Sequence, residues 1–189
     1  MKKTNTYIIA GLGNPGKKYE NTRHNIGYHV VDELFDLWQL AKHRKRFSSL
    51  VSITKQHGRK IVLLKPLTYM NESGRAIKKA MSFYNVTPQN VVIVYDDIDL
   101  PVGALRIRTN GGPGTHNGMR SIVNHIGRDF ARIRIGIGKN KSDLVNYVLS
   151  QPSKQDKKIL EETVIDAANA IDMLSEYGIQ KTMQKYNVK

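Results

Sequence analysis

The sequence predicts an α/β fold in a single domain over residues 1–189, with a twisted mixed sheet, mostly parallel, and helices on both faces. Three observations carry that expectation. Short apolar runs closed by turn residues alternate with longer stretches of helical period, the pattern of a sheet wrapped by crossover helices. The run Val91-Val92-Ile93-Val94-Tyr95 is β-prone at every position, as suits a strand covered on both faces. Two further strand-like segments meet across His57-Gly58, a turn that adds antiparallel pairing. With 189 residues, 40% of them hydrophobic, the chain buries roughly 70% of the surface it would expose unfolded.

Taken in order, Tyr7 to Ala10 reads as a buried strand closed by Gly11. Ile26, Val30, Val31, Leu34, Phe35 and Trp38 recur at helical spacing, so a helix is expected over about residues 24–39 with Asp32, Glu33 and Asp36 outside. Residues 47–54 and 60–64 are strand-like. Thr68 is expected to cap a helix running to about Tyr84, with Ile77, Ala80, Met81 and Tyr84 as its apolar stripe. Leu105 to Arg108 and Ile133 to Ile137 read as strands, with a helix from about His116 to Ile126 between them. A long amphipathic helix from Ser153 to Tyr177 and a short terminal helix close the chain, and no repeat or linker interrupts it.

Lys and Arg total 30 against 16 Asp and Glu, a formal charge of +14. Such an excess favours polyanionic partners, nucleic acid first. The cations cluster. Lys42, Arg44, Lys45, Arg46, Lys55, Arg59 and Lys60 occur without an intervening acid, and from Arg106 to Lys141 only Asp129 stands against eight basic residues. Two acid-poor segments beside turn-rich loops suggest a phosphate-binding face. The absence of cysteine excludes disulfides, thiolate metal sites, iron–sulfur clusters and thiol nucleophiles. No apolar run approaches the ~18 residues of a membrane span. The turn-rich stretch after Lys2 and Lys3 does not suit a signal peptide, so a soluble cytoplasmic chain is expected.

Gly11-Leu12-Gly13-Asn14-Pro15-Gly16 follows a strand and satisfies the G-x-G-x-x-G pattern of dinucleotide sites. In such sites a helix starts near the second glycine and directs its free N–H groups at a pyrophosphate. Here Pro15 removes an N–H and turns Asn14 away from helical geometry, while the apolar helical stripe begins only at Ile26. A tight loop presenting Asn14 is the preferred reading.

Asn14, Asn71 and Asn117 each sit among turn formers near the end of an element. Any one of them is explained by the turn itself. Three together, at the carboxyl ends of strands where ligands bind in parallel sheets, suggest a crevice with uncharged donors and acceptors for an acyl or peptide group. His24 lies in the polar run Asn21-Thr22-Arg23-His24-Asn25, and Asp96 ends the apolar strand ahead of Asp97 and Asp99. Three acids at a buried strand end are costly unless solvated, paired or functional. A His–Asp pair without cysteine or a serine elbow implies activated water, with the histidine taking the proton and the aspartate fixing its tautomer. The sequence contains no compact metal-ligand array.

Residues 11–16, Thr22-Arg23-His24-Asn25, Pro66 to Gly74, Tyr95 to Pro101 with Gly103, His116-Asn117-Gly118 and Arg134-Ile135-Gly136-Ile137-Gly138 together resemble the signature loops of bacterial peptidyl-tRNA hydrolases, in order and spacing. The resemblance runs from Tyr7 to the terminal helix. It implies a monomeric esterase of that fold, free of cofactor and metal, which cuts the ester between a nascent peptide and the 3′-terminal ribose of tRNA. His24 matches the family's catalytic base and Asp96 its orienting acid. Asn14, Asn71 and Asn117 match substrate-binding positions, with Asn71 also implicated in holding water or the transition state. Tyr19 and Met70 match contacts near the tRNA 3′ end, and Arg108 and Arg134 match the clamp on a tRNA phosphate. Arg108 stands where lysine is familiar, which allows a bidentate grip. The alternatives are a noncatalytic RNA-binding relative of the same fold, or a basic protein that binds nucleic acid nonspecifically; the latter accounts for the charge but not the loops.

Overall fold

The computed structural model describes residues 5–139 and 143–187. Lys2, Lys3 and Lys141 lie outside the described residues. Along the chain run β1 (Thr6–Gly11), α1 (Ile26–Leu37), β2 (Arg44–Arg46), β3 (Ser49–Gln56), β4 (Arg59–Pro66), α2 (Ser73–Tyr84), β5 (Val91–Asp97), β6 (Leu105–Arg108), α3 (Asn117–Ile126), β7 (Ala131–Gly136), α4 (Leu144–Val148), α5 (Lys154–Tyr177) and α6 (Ile179–Tyr186). The seven strands form one sheet in the order β2-β3-β4-β1-β5-β7-β6. Its four central strands, β4, β1, β5 and β7, run parallel. Antiparallel strands flank them at both edges.

Strand residues alternate between two apolar layers, as the period of two requires. Ile9, Val92 and Val94 pack with Val30, Val31 and Leu34 of α1 and with Ala167 and Ile171 of α5. Ile8, Ala10 and Ile93 pack on the opposite face with Ile77 and Met81 of α2 and Met119 and Ile122 of α3. This alternation positions the site. Asp96 continues the row of Val92 and Val94, so it emerges from the sheet on the side where α1 begins.

The glycines of residues 11–16 have a packing explanation. A Cβ on Gly11 would lie 1.9 Å from the Gly27 carbonyl oxygen, and one on Gly27 would lie 2.4 Å from the Val94 oxygen. A Cβ on Gly13 would strike the Tyr28 ring at 2.7 Å. Bare backbone at these points lets α1 lie directly on β1 and β5, which carries the turn ahead of α1 to the carboxyl ends of both strands. The motif therefore serves helix-on-sheet approach.

Several element ends differ from the sequence expectation. The helix expected from about residue 24 starts at Ile26, because Arg23–Asn25 form a 3₁₀ turn that directs the Asn25 side chain to Asn14 rather than to a cap. Thr68 does not cap α2. The helix follows a second 3₁₀ turn at Met70–Glu72, and the Thr68 hydroxyl is buried without a partner among the described residues. Two short elements were not expected: β2 has no apolar residue at all, and α4, at five residues, is too short to show a helical period.

Candidate active site

At the carboxyl ends of β1, β4 and β5 the surface opens into a cleft of about 820 Å³. Its lining gathers residues far apart in sequence: Asn14, His24, Met70, Asn71, Asp96 and Asn117, with Arg108 and Arg134 also on its wall. Eight of the nine residues singled out in the sequence thus share one cavity. Tyr19 is not part of the lining, but it packs edge-on against Tyr69, which is, with ring centroids 6.5 Å apart.

Asp96, 2% exposed, is the centre of the site. Both of its carboxylate oxygens lie 2.9 Å from His24 Nδ1. Its Oδ1 also lies 3.0 Å from His116 Nε2. The tautomer of His116 follows from its other nitrogen, since His116 caps α3 by accepting the Met119 N–H at Nδ1, 3.2 Å away. The proton must then sit on Nε2 and be donated to Asp96. His24 likewise donates Nδ1–H to the ionised carboxylate, which leaves its Nε2 lone pair for the cleft.

The electrostatics follow from these contacts. Burial opposes the Asp96 charge, but the facing His24, together with the hydrogen bonds from His24 and His116, holds its carboxyl well below the usual carboxylate range. Burial also opposes protonation of His24; the Asp96 charge and hydrogen bond together outweigh it and leave the imidazole pKa raised. Tyr95, edge-on to the His116 ring, is pushed up to about 12 mainly by burial and so stays neutral. His24, Asp96 and His116 also place three ligand-type atoms within 4.8 Å of one another. Their closeness is explained by the two shared hydrogen bonds, which a metal ion would have to displace.

The asparagines divide into a fixed one and two exposed ones. Asn14 is buried, and its backbone N–H and C=O are both held by the Asn25 side chain, at 2.8 and 3.0 Å. Its Oδ1 accepts the Met70 N–H at 2.8 Å. That bond fixes the amide orientation and leaves Nδ2 without a protein acceptor among the described residues. Met70 is wedged beside α3, where a Cβ on Gly118 would lie 2.6 Å from its sulfur. Asn71, in the 3₁₀ turn before α2, and Asn117, at the start of α3, are exposed on the cleft wall.

All three acids of the β5 end are accounted for. Asp96 holds the histidines, Asp97 accepts Arg134 Nε at 2.6 Å and the Asp99 N–H at 2.9 Å, and Asp99 is exposed near Lys139. Arg134 is therefore half engaged, whereas Arg108 is exposed at the sheet edge with no ion pair among the described residues. Beside them Arg132 is buried, donating to the carbonyls of Arg128, Phe130 and Gly111.

Sequence reasoning missed the roles of His116 and Asn25. Both stood inside motifs already noted, but pairing His116 with a residue twenty positions away requires knowing that α3 starts over the end of β5. The signal for Asn25 was its place beside His24.

A buried carboxylate hydrogen-bonded to a histidine at the head of an asparagine-lined cleft, on a mixed α/β sheet, is the arrangement that water activation in a hydrolytic enzyme requires. The comparisons narrow that class. A family model described as Peptidyl-tRNA hydrolase matches residues 8–189. Peptidyl-tRNA hydrolase from Caldanaerobacter subterraneus subsp. tengcongensis is 48% identical over 183 residues, covering 96% of this chain and 99% of that one. The Clostridium tetani protein of the same name is 42% identical over 182 residues, covering 96% and 97%. The crystal structure of peptidyl-tRNA hydrolase from Acinetobacter baumannii superposes with a TM-score of 0.93 at 34% identity, over 100% of this chain and 97% of that one. The chain belongs to the peptidyl-tRNA hydrolase family. The findings support the enzyme rather than the noncatalytic alternative.

Proposed function

We propose that this protein hydrolyses the ester joining the carboxyl group of a peptide, or of an N-blocked amino acid, to the 3′-terminal ribose of tRNA, returning tRNA to translation. It works as a single-domain cytoplasmic monomer, without cofactor or metal; among the described residues no helix is long and apolar enough to cross a membrane. The observation that carries this reading is His24, fixed by both oxygens of Asp96 and turned so that Nε2 serves the cleft. In this scheme Nε2 takes a proton from water, the resulting hydroxide adds to the ester carbonyl, and collapse of the tetrahedral intermediate breaks the bond to the ribose 3′-oxygen. The departing oxygen recovers the proton from His24, and Asp96 stabilises the imidazolium in between.

The amide groups of Asn14, Asn71 and Asn117 supply donors for the peptide backbone and for the charge that develops on the carbonyl oxygen. Tyr19 and Met70 support the terminal nucleotide, and Arg108 with the free part of the Arg134 guanidinium clamps a tRNA phosphate. A free α-ammonium finds no buried vacant carboxylate in this cleft, because Asp96 and Asp97 are already paired, and Asp99, also on the wall, is exposed to solvent and 3.4 Å from Lys139. Blocked aminoacyl-tRNA should therefore be the better substrate. The test is release of N-acetylaminoacyl groups from tRNA by the purified protein, with and without a chelator. Hydrolysis unaffected by the chelator and much weaker on the unblocked ester is expected. No release, or equal rates on the two esters, would contradict the reading.

A further inference from the structure

Arg23 precedes the catalytic histidine, yet its side chain points away from the chemistry and into the protein. It is 7% exposed. Its Nη1 donates to Ser150 Oγ and to the Gln151 carbonyl, both at 2.8 Å, with a longer contact of 3.4 Å to the Ser150 carbonyl. Its Nη2 lies 3.4 Å from Asp156 Oδ2, and the guanidinium carbon stands 4.3 Å from the centre of the Tyr147 ring. The Arg23 backbone N–H adds a sixth attachment, donating to the Ser150 carbonyl at 3.1 Å. One residue thus ties the end of α4, the connection after it and the first turn of α5 to the turn that carries His24.

What is tied down is a wall of the cleft. Leu144, Val145, Val148 and Leu149 line it as a run of apolar side chains. Val145 is 67% exposed, and with its three apolar neighbours it forms a contiguous patch of the kind that marks a binding surface. α4 has only five residues and buries none of them, so it is too short to hold itself in place. Besides Arg23, a bond of 2.6 Å from the Tyr147 hydroxyl to the Ile137 carbonyl secures it.

We propose that Arg23 is a positioning residue that sets the distance between His24 and this apolar wall, so that the size of the acyl or peptide group is measured against the catalytic base. The proposal rests on the reading that the cleft holds an ester with His24 as its base. A flat guanidinium serves where an ammonium would not, because it meets several carbonyls and a hydroxyl in one plane while stacking on a ring. Loss of the tie lets the wall recede from the ester. Large apolar acyl groups then lose contacts, and small ones have none to lose. His24 keeps its own partner, Asp96, so its ionisation is untouched.

The experiment compares N-acetylglycyl and N-acetylleucyl esters of one tRNA body in wild type, Arg23→Lys and Tyr147→Leu. Tyr147→Leu removes the ring and its hydroxyl while leaving the His24 turn alone, so it keeps the test open should Arg23→Lys fold poorly. Each variant is expected to lose about tenfold in kcat/KM on the leucyl ester, the scale set by one apolar contact in a pocket. The loss should appear mainly in KM, with the glycyl ester within about twofold of wild type and the pH profile unmoved. Equal losses on both esters, an unchanged leucyl preference, or a displaced pH profile would each overturn the assignment. His24→Ala serves as the control that separates the readings. If it retains full turnover, the catalytic reading fails; if it is inactive while Arg23→Lys keeps the leucyl preference, only the positioning proposal fails.

Discussion

The two ends of the cleft are built on opposite principles. At one end Asp96 is buried and holds two histidines, one of them locked by a helix N-terminus. At the other, Arg108 lies exposed on the edge strand and Arg134 is shared with Asp97. Proton transfer needs a fixed tautomer and a fixed direction, so that end is preorganised. Attraction of a polyanion needs charge and tolerates motion, so the other end remains solvated. Substitutions at the first should cost rate, and at the second affinity and its dependence on salt.

The largest effect is expected from His24→Ala, which removes the proposed base and should lower the rate by ~10² to 10⁴ while leaving tRNA binding near wild type. Single-turnover hydrolysis beside filter binding checks both halves. Asp96→Asn should come next. One amide oxygen would then face two N–H donors, so His24 loses its preferred tautomer, and the fall should appear in kcat more than in KM. A variant impaired only in binding would place Asp96 on the substrate.

Smaller effects belong to the basic edge. Arg108→Ala should weaken full-length tRNA substrates and reduce the salt slope of binding by about one phosphate's share, with short 3′-terminal esters spared. Arg134→Ala should add some loss of stability, because it strands Asp97; a melting curve beside the salt titration separates the two terms. Lys45→Ala should be the mildest, within about twofold, since exposed charges in a distributed segment are screened and share their work. Equal losses on long and short substrates for Arg108→Ala would move the clamp elsewhere.

These two ends were also unequally legible in the sequence. β5 and the His57-Gly58 hairpin announced themselves by β-prone runs and a turn, and α1 by its apolar stripe. The pairing of His24 with Asp96 could be anticipated because a strand-end carboxylate and a polar histidine turn needed partners. The second histidine could not, since it depends on where α3 crosses the end of β5. β2 is three exposed basic residues paired only on one side, and nothing in its composition distinguishes it from a loop. Thr68 looked like a cap, but Tyr69 and a three-residue 3₁₀ turn, Met70–Glu72, come before α2 and set Met70 against Asn14. Local pattern gave way there to the geometry of the cleft.

The central claim is that His24 acts as a base whose ionisation Asp96 controls, and the pH dependence of kcat/KM tests it most directly. The base works when neutral. Burial lowers the His24 pKa, and the Asp96 charge and hydrogen bond raise it by more, so activity should fall with acid through a limb above the ordinary imidazole value of 6.5. With Asp96→Asn burial is left unopposed, and the limb of the residual activity should move to lower pH. A wild-type limb below 6.5, or one that stays in place when the carboxylate is removed, would contradict the account.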